Sequence, residues 1–294
     1  MKPEITPLPA GLYLVATPIG NARDITLRAL DILASADVIA AEDTRTMRKL
    51  MRLHGLALGN RPLIAYHDHS GEAGRAGLVK LIGEGRSVAY ASEAGMPLIA
   101  DPGYALAREV ARAGLPVTCA PGPSASLAAL SLSGLPSDRF LFAGFAPAGK
   151  AARRKWLAEL LDIPATLILF ENPKRVQQLL IDLCDLGEEQ REMAICRELT
   201  KKFEEVMRAT VAELRECLSE RPLKGEIALI LGRGNGEEPA FDMEAALGQA
   251  MASMTIRDAV AHVAAAGKLP RRKVYQAALA LQEGKAKGEG DKKG

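Results

Sequence analysis

Leu12-Tyr-Leu-Val-Ala-Thr-Pro-Ile-Gly-Asn, residues 12–21, sets a short apolar run directly against a loop of proline, glycine and asparagine. An apolar run of that length, closed by turn residues, reads as a strand buried on both faces. Leu27, Leu30, Leu33 and Ala34 then recur at helical spacing, with Thr26 placed to cap them. Residues 38–41 form the next apolar run, and residues 44–54 a basic helix. Further strands are expected at 63–66, 88–91 and 117–120, each with a helix between. This alternation predicts a mostly parallel sheet covered on both faces.

Outward from that unit, Pro121-Gly-Pro-Ser124 punctuates the chain. Beyond it, strands are expected near 140–143, 166–170, 193–197, 204–208 and 227–231. Helices are expected near 151–161, 175–186 and 211–220. This is a second α/β unit with some antiparallel pairing. Gly232-Arg-Gly-Asn-Gly-Glu-Glu-Pro239 reads as a linker, and the Ala-rich segment 242–283 as helical. Thr255-Ile-Arg-Asp, then Val260 and Val263, then Gly267 and Leu269-Pro-Arg-Arg-Lys resemble helix, tight turn, helix, the second helix starting near Pro270. The expected organisation is an N-terminal α/β domain at 1–121, a second α/β domain at 122–234, a helix-turn-helix-like unit at 240–284 and a disordered basic tail at 285–294.

A length of 294 residues suits two domains or more, and 48% hydrophobic residues supply ample core. Only 4% are aromatic, which argues against aromatic platforms for single-stranded RNA. The formal net charge of +2 argues against a wholly basic nucleic-acid binder, yet lysines and arginines gather from Lys268 onward. Cys119, Cys184, Cys196 and Cys217 show no metal-ligand spacing and fit a reducing cytosol. No charged start followed by an apolar run marks a signal peptide. The longest uncharged stretch, 113–137, is broken by Pro116, Pro121, Pro123 and Pro136, so no membrane helix is expected there.

Three Gly/Pro-rich loops each follow an expected strand: 17–21, 92–103 and 121–125. In open parallel sheets, ligands bind outside the carboxyl ends of the strands. Glycine lets a ligand approach the backbone, and proline pre-sets the turn. No phosphate-cradling Gly-x-x-x-x-Gly-Lys-Ser/Thr is present, and no Gly-x-Gly-x-x-Gly follows the first strand. A neutral cleft of this kind suits a ligand with a purine, a ribose and an amino-acid end. S-adenosylmethionine is one such ligand, and residue types alone leave others open.

At these residues the chain resembles a known family. Residues 12–21, Ala41-Glu-Asp-Thr-Arg45, Tyr66-His-Asp-His69, Ser92-Glu-Ala-Gly-Met-Pro97, Asp101-Pro-Gly-Tyr104, Pro121-Gly-Pro-Ser-Ala125, Gly134-Leu-Pro-Ser-Asp-Arg-Phe140, Glu171-Asn-Pro-Lys-Arg175, Arg197-Glu-Leu-Thr-Lys201 and Lys224-Gly-Glu226 occur in order. They look like the bacterial 16S rRNA (cytidine-1402-2′-O)-methyltransferases of the tetrapyrrole-methylase superfamily, over about residues 12–231. The resemblance implies two α/β domains of that type sharing a cofactor cleft, S-adenosyl-L-methionine as cofactor, a cytoplasmic homodimer, and 16S rRNA within the small ribosomal subunit as substrate. It places the cofactor at Pro18, Ser92, Glu93, Ala94, Gly95, Pro97, Ser124, Ala125, Phe170, Glu171, Leu199, Thr200, Glu226, Ile227 and Ala228. Ala16 stands where the family usually has glycine, and Glu93 and Met96 where it has aspartate and threonine.

Methyl transfer to a ribose 2′-oxygen needs alignment and help with the proton. Glu42, Asp43 and His67 are the candidates for that chemistry, Glu42 and Asp43 because they end a strand. A salt bridge with Arg45 or Arg48, or a helix cap, is the structural alternative for either carboxylate. Asn21, Arg23, Arg45, Arg48, His69 and Lys201 are the expected substrate-binding residues, the basic helix face being able to track phosphates. Arg153, Arg154 and Lys155 are expected to add positive charge around the cleft. His67 and His69 lack a third ligand nearby, so no metal is expected. A small-molecule, tetrapyrrole-type methyltransferase on the same fold is the rival reading. It needs a large apolar trough for the macrocycle.

Overall fold

A computed structural model describes residues 3–67, 70–99, 103–234, 243–251, 254–267 and 269–290, with backbone alone at 244–245 and 282–290. The chain divides into two compact units after Gly234.

The first unit contains two five-stranded sheets. The first is built from β1 (Gly11–Val15), β2 (Val38–Ala41), β3 (Leu63–Ala65), β4 (Ser87–Ala91) and β5 (Val117–Ala120), in the order β3-β2-β4-β1-β5. Every pairing is parallel. The carboxyl ends of all five strands therefore share one edge. The near-continuous apolar runs of β2 and β4 are buried throughout, as a sheet covered on both faces requires. Ile32 and Leu33 of α1 (Leu27–Ser35) and Met47 and Met51 of α2 (Thr44–Leu53) pack on one face. Leu78 and Ile82 of α3 (Gly71–Gly83) and Leu106 and Val110 of α4 (Gly103–Arg112) pack on the other. Thr26 caps α1 as its position suggests, its hydroxyl accepting from the Ala29 N–H at 3.1 Å.

The second sheet follows Pro121 in sequence. After α5 (Ala125–Ser133) come β6 (Phe140–Phe145), α6 (Lys150–Leu161), β7 (Thr166–Glu171), α7 (Val176–Asp185), β8 (Glu192–Arg197), β9 (Glu205–Thr210), α8 (Val211–Cys217) and β10 (Ile227–Leu231). The strand order is β6-β7-β10-β8-β9, with only β6 and β7 parallel. Leu157, Leu179 and Leu214 of α6, α7 and α8 cover one face. Ala129 and Leu130 of α5 pack on the other, with Ile168, Ala194 and Ile230. Thr210 and Glu213 form a reciprocal capping box at the start of α8.

Arg153, expected to add charge to the cleft, is instead buried on α6 and paired with Asp182 of α7 at 2.6 Å. A buried charge needs such a partner, and this one ties the two helices together.

The second unit holds α9 (Met243–Ala250), α10 (Ile256–Ala266) and α11 (Arg271–Gly290). Leu247, Val260, Val263 and Val274 form its core. Thr255 caps α10, and the turn through Pro270 starts α11, as the sequence suggests. Helix α11 runs to Gly290, past the expected boundary at 284. The rest of the expected disordered tail, 291–294, lies outside the described residues. No described helix is long and apolar enough to cross a membrane.

Candidate active site

The loops after β1, β4 and β5 meet at the carboxyl edge of the first sheet. Thr17 and Gly95 form an isolated bridge, each N–H donating to the other's carbonyl at 3.0 Å. The Thr17 hydroxyl donates to the Ser92 carbonyl at 3.1 Å, and the Ser92 hydroxyl donates to the Gly95 carbonyl at 2.8 Å. Gly95 sits at φ 84°, and a Cβ there would come within 3.3 Å of Ile19. Gly122 has no room for a side chain either, since a Cβ would lie 2.8 Å from the Ala16 Cβ.

The second sheet supplies the facing wall. Its register sets Ala228 opposite both Phe170 and Cys196, and Phe145 opposite Phe170. Directly paired residues share a face, so these four side chains form one row. The walls enclose a cleft of about 470 Å³, lined mainly by apolar atoms and main chain. That size lies within the range of roughly 300–1,000 Å³ typical of small-molecule sites.

Of the residues expected at a cofactor, Ala94, Gly95, Ser124, Ala125, Phe170 and Glu171 line the cleft, as do Leu199, Glu226, Ile227 and Ala228. Pro18, Ser92, Glu93, Pro97 and Thr200 are not in its wall. Ser92 is a buried brace behind it, and Glu93 is exposed, its N–H pointing to Glu42 Oε2 at 3.4 Å. Ile19, Ile99, Phe145, Cys196 and Gly225 line the cleft without having been expected. Register brings Phe145 and Cys196 there, and register is not written in a single strand's sequence. Burial pushes the Cys196 thiol up to about 11, so it is a protonated wall group rather than a nucleophile.

Two charged features stand at the cleft. Ser124 precedes α5 but makes no cap bond, its hydroxyl pairing with that of Ser126 at 2.9 Å, and the first turn carries no acidic residue. The positive end of α5 thus stands at the cleft. Glu171 is buried, and its Oε1 accepts from Asn172 N–H at 2.6 Å and from Arg175 Nε and Nη2 at 2.7 and 2.6 Å.

A latch closes one side. Asn21 N–H donates to Thr200 Oγ1 at 3.0 Å, while Thr200 N–H donates to Glu204 at 2.6 Å. The Lys201 ammonium lies between Glu198 and Glu226, at 3.0 and 2.9 Å. Glu198 and Thr200 adopt φ 51° and 63°, strained values for residues with side chains. Gly20 and Gly225 make the approach feasible: a Cβ on either would lie 2.5 Å from Lys201 or Glu198. Lys201, expected to hold substrate, is thereby committed to carboxylates. Burial pulls its pKa down, but its bonds to Glu226 and Glu198 outweigh this and hold it above the usual lysine range. The Glu226 N–H and then Lys201 hold Glu198 below the usual carboxylate range.

Glu42 and Asp43 follow β2, which neighbours β4, so they stand beside the Glu93–Met96 loop. Their surroundings differ. Asp43 caps α2, accepting from Arg45 N–H at 2.7 Å and from the Thr46 hydroxyl at 3.4 Å. The Arg45 N–H first, and then the Arg45 guanidinium, hold its carboxyl below the ordinary range. Glu42 instead faces the loop through the Glu93 N–H. His67 follows β3, exposed, in a turn where its N–H donates to Ser70 Oγ and its carbonyl accepts from Ser70 N–H, both at 2.8 Å. His69 lies outside the described residues. Arg23, Arg45 and Arg48 are exposed, and α2 turns Arg45, Arg48, Lys49 and Arg52 to solvent opposite buried Met47 and Met51. Asn21 closes its own turn, its Oδ1 accepting from Arg23 N–H at 3.0 Å. Among the described residues no three His, Cys, Asp or Glu side chains converge on a metal position.

Comparison with known proteins identifies the family. The family described as Tetrapyrrole (Corrin/Porphyrin) Methylases matches residues 11–215, and the RsmI C-terminal HTH domain matches residues 237–282. A Mesorhizobium japonicum protein named ribosomal RNA small subunit methyltransferase I is 44% identical over 289 residues, 97% of this chain and 96% of that one. One of the same name from Halalkalibacterium halodurans is 46% identical over 77% of each chain. Among solved structures, uroporphyrin-III-C-methyltransferase from Thermus thermophilus superposes with a TM-score of 0.52 at 25% identity, covering 76% of this chain and 94% of that one.

Proposed function

The chain belongs to the tetrapyrrole (corrin/porphyrin) methylase family, among the ribosomal RNA small subunit methyltransferases I, and from that premise we propose that it uses S-adenosylmethionine to methylate the ribose 2′-oxygen of cytidine 1402 of 16S rRNA in the small ribosomal subunit. The observation that carries the reading is the cleft between the two sheets. It is walled by main chain and apolar side chains, in a chain that follows its rRNA-methylating relatives over almost its whole length.

The cleft fits that cofactor. The open amino end of α5 suits a carboxylate, and the row of Phe170, Ala228 and Cys196 suits a purine. S-adenosylmethionine supplies an electrophilic methyl group on a sulfonium. The Gly95 and Ser124 loops and the Leu199 loop hold it and exclude water. Holding both reactants in register is worth several kcal/mol, roughly 7–11 at best. Glu42 is the proposed general base, drawing the proton from the 2′-hydroxyl. Asp43 fixes the start of α2, and His67 stands one strand further along the same edge. The exposed arginines of α2, with Arg23, contact RNA phosphates. The enzyme works as a homodimer in the cytoplasm, where small subunits are found.

Identity favours this over methylation of a tetrapyrrole: 44% to the rRNA enzyme against 25% to the uroporphyrin enzyme. Labelled S-adenosylmethionine, offered with small subunits or with a tetrapyrrole of the uroporphyrin-III type, separates the two. Label on the subunits supports the proposal, and label on the macrocycle alone overturns it.

A further inference from the structure

Aromatic residues are scarce, and one of them stands where the proposed function leaves a task undone. Phe145 ends β6, an edge strand, and 58% of its surface is exposed although it lines the cleft. Its placement depends on a local irregularity. Phe140, Leu141 and Phe142 pair with Thr166, Leu167 and Ile168, and then the register shifts so that Gly144 meets Leu169 and Phe145 meets Phe170. Unbroken pairing would set Phe145 against Glu171 and turn its ring to the other face. The extra residue, with Gly144 at φ 76°, brings the ring into the row of Phe170, Ala228 and Cys196. Phe170 holds it edge to face at 5.5 Å, and Phe142 supports Phe170 at 5.0 Å. A supported ring left open at a cleft mouth is a platform without its partner.

We propose that Phe145 is the stacking platform for the base of the nucleotide whose ribose is methylated. The inference rests on the RNA reading above. A ribose hydroxyl brought to a buried methyl group takes its base out of the neighbouring stack. Unstacked bases are held on aromatic faces. A cofactor buries most of its own surface inside its pocket. The half-buried Phe170 suits that inner ligand, whereas Phe145, one strand further out and mostly open, suits the outer one. Arg175 in the same wall has Nε and Nη2 held by Glu171, which fixes its guanidinium plane. The scarcity of aromatics in the sequence thus excludes an extended platform but not a single stacking ring.

The test compares wild type, Phe145→Ala and Phe145→Trp, measuring methylation of unmodified small subunits and calorimetric binding of S-adenosylhomocysteine. Phe145→Ala lowers kcat/KM for subunits by about tenfold, equivalent to about 1.4 kcal/mol, and leaves the Kd for S-adenosylhomocysteine within about twofold. Phe145→Trp restores most of the loss. Weakened S-adenosylhomocysteine binding in Phe145→Ala overturns the proposal by making the ring a cofactor contact. Unchanged kinetics with active wild type overturn the stacking role alone. A wild type that binds S-adenosylhomocysteine but methylates no subunit overturns the RNA reading and this inference with it.

Discussion

Adjacent carboxylates at the end of β2 have different neighbours and so different expected roles. Asp43 is spent on the first turn of α2, and Glu42 faces the loop that walls the cleft. Glu42→Gln is expected to lower the single-turnover methylation rate roughly 10²- to 10⁴-fold, the range of general-base catalysis, with S-adenosylhomocysteine affinity retained. Asp43→Ala is expected to lower the melting temperature while changing the rate only a few-fold. The Asp43 carboxyl is held below its ordinary range, chiefly by the Arg45 N–H. Its stabilisation is therefore full above the ordinary aspartate range and disappears as pH falls through the lowered value. The sequence could name both carboxylates, because each ends a strand. It could not rank them, because capping depends on which side chain turns back onto the helix. Lys201 is a similar case: its charge is legible, but its two carboxylate partners come from segments 3 and 25 residues away.

Elements meet at the latch, where the loop after β1 touches the loop after β8. Gly20→Ala places a methyl group 2.5 Å from Lys201 Cγ, 2.6 Å from Thr200 Oγ1 and 3.0 Å from the Leu199 carbonyl. Overpacking of this kind costs about 1–3 kcal/mol, and calorimetry is expected to show S-adenosylhomocysteine binding weakened by about tenfold or more. The latch also sets a pH window. Glu198 has a lowered pKa, so its contribution is present above about pH 4.3 and disappears as pH falls through the folded value. Lys201 has a raised pKa, so its contribution is full below about pH 10.4 and disappears as pH rises through the folded value. Cofactor affinity is expected to hold between the two folded values, one below the ordinary glutamate range and one above the ordinary lysine range, and to fall outside them. Loss of the acid limb in Glu198→Gln would tie that limb to the latch, and an unchanged limb would detach it. The strands and the Gly/Pro loops that build this region were readable from apolar runs and turn residues. The closeness of Gly20 to Thr200 was not, since it depends on how two sheets face each other.

For the whole molecule, the division after Gly234 makes a prediction of its own. A chain ending at Gly234 is expected to fold cooperatively and bind S-adenosylhomocysteine like the full chain, because the cleft lies wholly before that point. Its methylation of small subunits is expected to fall if the helical unit helps to hold RNA. An unfolded fragment in circular dichroism would show that the first unit needs the second in order to fold. Subunit methylation should also weaken steeply with salt. Replacing Arg45 and Arg48 together with alanine should reduce the slope of log affinity against log salt by roughly 0.7–0.9 for each phosphate no longer neutralised. Fold class was legible because alternating runs dictate a covered parallel sheet. The second sheet's order β6-β7-β10-β8-β9 was not, because antiparallel pairing among distant strands leaves no mark on any one of them. The central claim is methyl transfer to one ribose. It is tested most directly by incubating the purified chain with labelled S-adenosylmethionine and small subunits from a strain lacking this enzyme, then mapping ribose methylation. Label at the 2′-oxygen of cytidine 1402 is the result predicted. Label elsewhere, or none from a chain that binds the cofactor, would contradict it.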